Sequence, residues 1–294
     1  MKNILVVTGG AGFVGSNLIE ELLKLKKYKI ISLDNYSSGS FKNHIKNKRV
    51  KYLRGHTKNT SIILKKYKNN INTIFHFGEF SRIFQSFKKI KECFDSNIIG
   101  SSDLFNFALE NKIKLIYSAT SASLGNEGKD MNLSPYSFTK AKNLELLDNL
   151  RKWFNFQYES VYFYNVYGPR QICKGDMATV VGIFEESFRN KKSLPVVRPG
   201  SQTRRFTHIK DTVRACLIAW KKNKNAHYSV ASNESYSIIQ LARLFRSSIR
   251  YLPKREGERF SSSLINTNFN KKIIKLKTKI KLRDYIGNFL IKNT

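Results

Sequence analysis

Over its first 165 residues the chain alternates short apolar runs with longer amphipathic stretches. Positions 4–7, 29–33, 50–53, 73–77 and 114–117 each read as a buried strand of four or five residues. Between them, 14–25, 60–68, 83–94 and 97–111 space their apolar residues as helices do. Apolar throughout, rather than alternating, is the pattern of a strand covered on both faces, and the β-α-β order brings successive strands parallel. After Pro135 a helix is expected to run to about Phe154, with a further strand at 159–164. Beyond Gly168-Pro169 the rhythm changes to helices separated by single strands, at 177–190, 211–221 and 237–247. The expected fold is α/β: a doubly wound parallel sheet over 1–165, and a smaller C-terminal α/β lobe over 166–294 for a substrate.

Two motifs add chemistry to this outline. Thr8-Gly9-Gly10-Ala11-Gly12-Phe13-Val14-Gly15 follows the first strand and opens the first helix. Glycines at 9, 12 and 15 allow a tight turn, close approach of backbone to a pyrophosphate, and close packing of helix on strand, with the phosphates at the helix N-terminus. Asp34 ends the second strand 19 residues after Gly15, placed to accept from the ribose hydroxyls of an adenosine. The first domain therefore reads as Rossmann-type, and Gly9, Gly12, Phe13, Val14, Gly15, Asp34 and the adjoining Asn35 as cofactor-binding. Asp34 would repel a 2′-phosphate and no basic residue follows it, which favours NAD over NADP. The second motif is Tyr136 and Lys140, four residues apart behind Pro135. On one helical face, the ammonium is expected to lower the phenol's pKa toward neutrality and make Tyr136 an acid/base.

Composition bounds the picture. At 41% hydrophobic residues a core is expected, and no run approaches the roughly 18–20 apolar residues of a membrane span. The N-terminus passes into the glycine loop without a cleavable signal pattern, so a soluble, cytoplasmic protein is expected. Cys93, Cys173 and Cys216 are far apart and never in C-x-x-C spacing, which argues against a disulfide framework and a thiolate metal site; no metal is expected. The net charge is +32, but the basic residues are scattered through every segment. The one concentrated run, 271–283, interleaves seven of them with isoleucine and leucine, as a solvated strand or helix edge would. Weak, salt-sensitive binding of polyanions is expected from this field, and no specific nucleic-acid partner.

With these residues in place the sequence resembles the extended short-chain dehydrogenase/reductase family, and within it the NAD-dependent nucleotide-sugar epimerases and dehydratases. The resemblance covers nearly the whole chain. It is carried in family order by the glycine loop, by Thr73-Ile74-Phe75-His76-Phe77, by Asn97-Ile98-Ile99-Gly100, by the strand end from Tyr117 to Gly125 and by Tyr136/Lys140. Tyr162 to Arg170 and Thr203-Arg204-Arg205-Phe206-Thr207-His208 complete the series. It implies a catalytic set of Thr120, Tyr136 and Lys140, with Thr120 binding both sugar and tyrosine. Lys140 and Ser118 would lie on the cofactor, and Tyr136 would take the proton from the sugar hydroxyl. It further implies that Asn165, Arg204, Arg255 and Glu258 hold the nucleotide diphosphate and its ribose.

The sequence departs from the family pattern at His56, usually Asp against adenine, at Glu79, often small, at Leu124, usually Tyr, and at Arg205, commonly Asp. These departures bear on the adenine contact and part of the substrate wall. His76 and His208 read as structural. In the family, dehydratases place an Asp-Glu pair, and decarboxylases a Glu, directly after the catalytic Thr. Here Ser121 and Ala122 follow Thr120. The resemblance therefore implies epimerisation at C4 of a UDP-hexose through a transient ketone. Alternatives are a dehydratase or oxidoreductase of the same family, or a non-catalytic NAD-binding scaffold with polyanion affinity. Together with apolar faces at 83–111 and 136–154, it also implies a homodimer packed helix on helix.

Overall fold

The computed structural model describes residues 2–123, 132–255 and 273–293. The first six strands are β1 (Ile4–Thr8), β2 (Lys29–Asp34), β3 (Val50–Arg54), β4 (Ile71–His76), β5 (Lys114–Thr120) and β6 (Tyr158–Phe163). They pair in parallel in the order β3-β2-β1-β4-β5-β6. Order reverses between β1 and β4, which opens a crevice at their C-terminal ends. Alternation along β1 divides the core between two faces. Ile4 and Val6 join Leu104, Phe105 and Ala108 of the helix Gly100–Glu110 and Leu144, Leu147 and Leu150 of the helix Pro135–Phe154. Leu5 and Val7 join Leu18, Ile19 and Leu22 of the helix Phe13–Leu22 and Val213, Cys216 and Ala219 of the helix Ile209–Lys222.

After β6 the chain leaves the sheet through β7 (Val166–Tyr167), β8 (Leu194–Val197), β9 (Thr203–Arg205) and β10 (Thr207–His208), then returns to it with β11 (His227–Ser229). Beyond β12 (Ser235–Ser237) and β13 (Ile249–Leu252), β14 (Ile273–Lys275) closes the edge, so the sheet has eight strands and ends β6-β11-β14. The position 165/166 thus marks where the chain first leaves the large sheet, and later segments rejoin it. The smaller lobe packs Tyr167, Phe184, Leu194, Val196, Phe206, Leu241, Phe245 and Ile286 around a core of its own. The described part of the basic run, 273–283, forms the outer strand β14 and leads into the helix Leu282–Asn293, and Lys275 on that edge strand with Lys277 just beyond it opposes further strand pairing.

Three expected helices differ in detail. The stretch 60–68 divides into the helix Thr60–Ile63 and the tighter turn Lys65–Asn70, and 83–94 breaks at Lys89 into Ile83–Lys88 and Ile90–Phe94. The third enters through a wide π turn, Asp95–Ile99, that turns Asn97 inward. Gly100 follows because a Cβ there would lie 2.2 Å from the Thr57 hydroxyl. By contrast, Pro135–Phe154 is set by its ends: Ser134 caps Ser137 N at 3.1 Å, Pro135 occupies the first turn, and Asn155 stops the helix at φ 52°. All three cysteines are free. Among the described residues no helix is long and apolar enough to cross a membrane, and no group of three or more His, Cys, Asp or Glu could hold a metal.

Candidate active site

The glycine loop lies at the mouth of the crevice. Gly9 has φ +67° and donates to Leu33 O at 2.8 Å, and a Cβ on it would stand 2.7 Å from Phe77 O. Gly12 caps the first helix, so the N–H groups of Phe13 and Val14 in its first turn have no intrahelical acceptor by position. Gly15 sits against the loop itself, where a Cβ would be 2.2 Å from Gly9 O. This cradle of bare backbone beside a helix N-terminus fits a pyrophosphate. Asp34, buried at the end of β2, accepts from Ala11 N at 2.9 Å and Tyr36 N at 2.8 Å, and its carboxyl abuts Gly39, where a Cβ would come within 2.8 Å. Burial raises its pKa, and these backbone donors, with Gly12, oppose the rise. Asp34 therefore shapes the loop. The Asp34→Ala protein is expected to bind NAD about 10- to 100-fold more weakly, the range for loss of charge-assisted hydrogen bonds, with a narrower preference over NADP. Calorimetric titration with both dinucleotides checks this; tighter NADP binding by the unmodified protein would contradict it.

Nearby positions behave differently from one another. Asn35 Oδ1 closes a turn on Ser37 N at 3.0 Å. His56 Nδ1 accepts from Lys58 N at 3.2 Å, which leaves the proton of a neutral ring on Nε2, toward Ser96 Oγ. Burial and Lys58 lower the pKa of this ring, so it stays neutral and cannot accept from an adenine amine through Nε2. The adenine contact that the family's Asp makes is thus not reproduced by His56.

Thr120 and Tyr136 meet at the end of β5. The Thr120 side chain acts on the phenol and lowers its pKa, and Tyr136 is anchored through its N–H to Ser86 Oγ at 3.2 Å. Lys140 lies on the same helical face, but its ammonium donates to the Glu79 carboxylate and to Ser118 O, and sits 4.3 Å from the centre of the Tyr117 ring. Ser118 Oγ donates in turn to His76 O at 2.9 Å. The expected lowering of the Tyr136 pKa is therefore corrected. Burial pushes the phenol up to about 12; the Thr120 side chain and the Arg82 charge pull it down, and the charge of Glu79 raises it further. The lysine's charge is matched by a carboxylate, so it does not act alone on the phenol.

Glu79 is the residue whose role the sequence misplaced. It is not part of a substrate wall, because its side chain is buried behind Lys140, only 3% exposed. Besides Lys140 it accepts from Tyr117 Oη at 3.0 Å, Asn143 Nδ2 at 3.0 Å and Ser101 Oγ at 3.1 Å. Asn97 ties the same region together, donating to Thr139 Oγ1 at 3.0 Å and Phe80 O at 3.1 Å and accepting from Phe80 N at 2.6 Å. Arg82, which sequence reasoning also missed, bonds Met177 O through Nε and Nη2 and so bridges to the smaller lobe beside Tyr136. One signal was present: Asn143 continues the buried 136-140-143-147 stripe, where a polar residue on a core-facing row needs a polar partner.

On the substrate side, Asn165 adopts φ 33° and donates to Arg205 O at 3.0 Å. Arg204 lies on β9 opposite Tyr236 of β12. Arg205 is fixed by Ser232 O and Asn233 O at 2.8 and 2.7 Å. Arg255 stacks on Phe84 at 5.3 Å, which carries this cation from the smaller lobe onto the helix Ile83–Lys88, two residues from Arg82. Glu258, Leu124 and Gly125 lie outside the described residues. His76 is buried and neutral, its pKa pushed down to about 4 by burial, and His208 caps the helix Ile209–Lys222 through Lys210 N at 3.2 Å.

Comparison with known proteins agrees with this fold. A crystallised UDP-glucose 4-epimerase of Thermotoga maritima, with UDP-glucose, superposes with a TM-score of 0.86 at 24% identity over 98% of this chain and 97% of that one. A UDP-N-acetylglucosamine 4-epimerase of Methanobrevibacter ruminantium, in complex with UDP-N-acetylmuramic acid, gives 0.84 at 25% over 100% and 98%. A dTDP-glucose 4,6-dehydratase of Streptomyces venezuelae with NAD gives 0.85 at 19% over 98% and 96%. Residues 5–231 match the NAD dependent epimerase/dehydratase family, and the chain belongs to that family, with NAD as its cofactor.

Proposed function

We propose that the protein epimerises a nucleotide hexose, a UDP-hexose, at C4. The observation that carries this reading is the sequence after Thr120. Where dehydratases of the family would present carboxylates, Ser121 and Ala122 stand buried, Ala122 packed with Tyr136, Phe80 and Ile83. Glu79, a buried acid that acts on Tyr136, already accepts from four donors. A 4-epimerase needs no further acid, since the ketone has only to turn over and be reduced on its other face.

In this reading Thr120 orients the C4 hydroxyl against Tyr136, whose phenolate form, favoured once the cofactor's positive charge lies beside it, would take that proton and later return it. Lys140 has one N–H beyond those given to Glu79 and Ser118, and offers it to the nicotinamide ribose. NAD, when bound, supplies the hydride acceptor and a positive charge beside the phenol. Arg204, Arg255 and Asn165 would grip the diphosphate, holding the part of the substrate that does not react. The homodimer also belongs here: Phe87, Ile90, Ile99, Trp153 and Phe154, on the segments assigned to the interface, are all exposed, and sedimentation velocity reads the stoichiometry.

The experiment is incubation of the purified protein with NAD and a panel of nucleotide sugars, followed by mass and stereochemical analysis. The expected product keeps the substrate's mass and differs only in configuration at C4. A product lighter by one water would establish a dehydratase instead, and NAD binding without turnover of any sugar would establish a scaffold.

A further inference from the structure

The chain of hydrogen bonds under the catalytic lysine has a single direction. Phe77 N and Gly78 N donate to Thr8 Oγ1 at 3.1 and 3.0 Å, so the Thr8 hydroxyl donates onward to His76 Nδ1 at 2.8 Å. A neutral His76 that accepts at Nδ1 carries its proton on Nε2 and gives it to Ser101 Oγ at 3.0 Å. Ser101 gives its own proton to Glu79 Oε1. Tyr117, Asn143 and Lys140 also donate to Glu79, so every partner treats it as an acceptor. The series begins at Thr8, the residue before Gly9, and ends at Glu79, onto which Lys140 donates from the other side.

We propose that Glu79 is the positioning residue of this site: its buried carboxylate holds the Lys140 ammonium against Ser118 and offsets that ammonium's charge beneath Tyr136. The proposal rests on reading Tyr136 and Lys140 as the catalytic pair. The charged and titratable groups facing Tyr136 are Glu79 just beyond β4, Arg82 at the start of the helix Ile83–Lys88, Cys93 from the helix Ile90–Phe94 and Tyr117 from β5, with Lys140 one turn along its own helix. Those facing Glu79 are Lys140 and Tyr117, with His76 behind Ser101. Within this set Glu79 is the one carboxylate, so removing its charge leaves only cations near the phenol. The phenolate then becomes easier to form, at the expense of a lysine no longer fixed in place.

The test is the pH dependence of kcat/KM, which reports the base of the free enzyme. In Glu79→Gln the limb belonging to Tyr136 is expected to move to lower pH by about one unit, a size set by unit charges several ångströms apart in a buried site. Glu79→Asp keeps the charge and is expected to retain the wild-type limb. An unmoved limb in Glu79→Gln, or the same displacement in Glu79→Asp, overturns the proposal. The second measurement needs no turnover and no Glu79 variant: the tyrosinate ultraviolet titration of wild type minus that of Tyr136→Phe. It is expected to be flat through about pH 9 in the NAD-free protein, where a buried phenol over a charge-balanced lysine keeps its proton. A step near neutral pH overturns the proposal even where Glu79→Gln fails to fold. If Tyr136→Phe retains full activity, the catalytic pair itself is misassigned, and the titration still reads the charge balance independently.

Discussion

Tyr136→Phe is expected to lower kcat by about 10²- to 10⁴-fold, the range for loss of a positioned general acid/base. The hydroxyl it removes is the one whose pKa the Thr120 side chain lowers, and no other group on that helical face can take a proton from a sugar hydroxyl, because Lys140 is committed as an ammonium to Glu79 and Ser118. The fold should be untouched. The ring stays in its packing against Ala122 and Cys93, and the backbone bond to Ser86 does not involve the hydroxyl. NAD affinity should therefore remain close to wild type while turnover collapses. Equal losses in both would show that Tyr136 holds the site together rather than carrying its proton. Steady-state kinetics on the active sugar and a parallel NAD titration separate the two.

Gly15→Ala is expected to abolish measurable NAD binding and to lower stability by about 1–3 kcal/mol, the cost of forcing extra volume into a packed site. The methyl would lie 2.2 Å from Gly9 O and 2.7 Å from Gly10 Cα, and these are backbone atoms that cannot swing aside as a side chain end can. Either the helix Phe13–Leu22 moves off β1 or the loop opens, and both remove the backbone surface on which the diphosphate would rest. Gly287→Ala is the control, since nothing lies within 4 Å of a Cβ there. Thermal melts and NAD titration of both proteins check this. A Gly15→Ala protein that binds NAD normally would mean that the loop is looser than its contacts indicate.

Much of the cofactor half was legible because its signals are local. An unbroken apolar strand, a glycine loop and a terminal Asp lie within 31 residues of each other, and each has a backbone reason to be where it is. The helix Pro135–Phe154 was legible for the same reason, its boundaries being written by Ser134, Pro135 and Asn155. The return of β11 and β14 to the large sheet was not, since three-residue strands are too short to show any periodicity. Nor was the partner of Lys140. Glu79 is 61 residues away and follows a strand with no pattern to mark it, so its pairing exists only once β4 and the helix Pro135–Phe154 are side by side. Burial, which spacing alone does not show, is the main cause of the raised Tyr136 pKa, and the charge of Glu79 adds to it.

The order in which the strands join the large sheet bears on how the chain is made. A ribosome releases β1 to β6 long before the helix Ile209–Lys222, which covers Val161 and Ile116 on one face of the sheet, and β14 comes later still. During synthesis that face waits partly bare while roughly a quarter of a minute's worth or less of chain emerges, at the usual rates of about 5–20 residues per second. Through this interval the nascent sheet also presents β6 as an open edge, and the lysines that guard the finished edge at β14 have yet to appear. The vulnerable moment of this protein's life is therefore its birth, and a holdase that shields β6 until the last strands arrive would act at the right place.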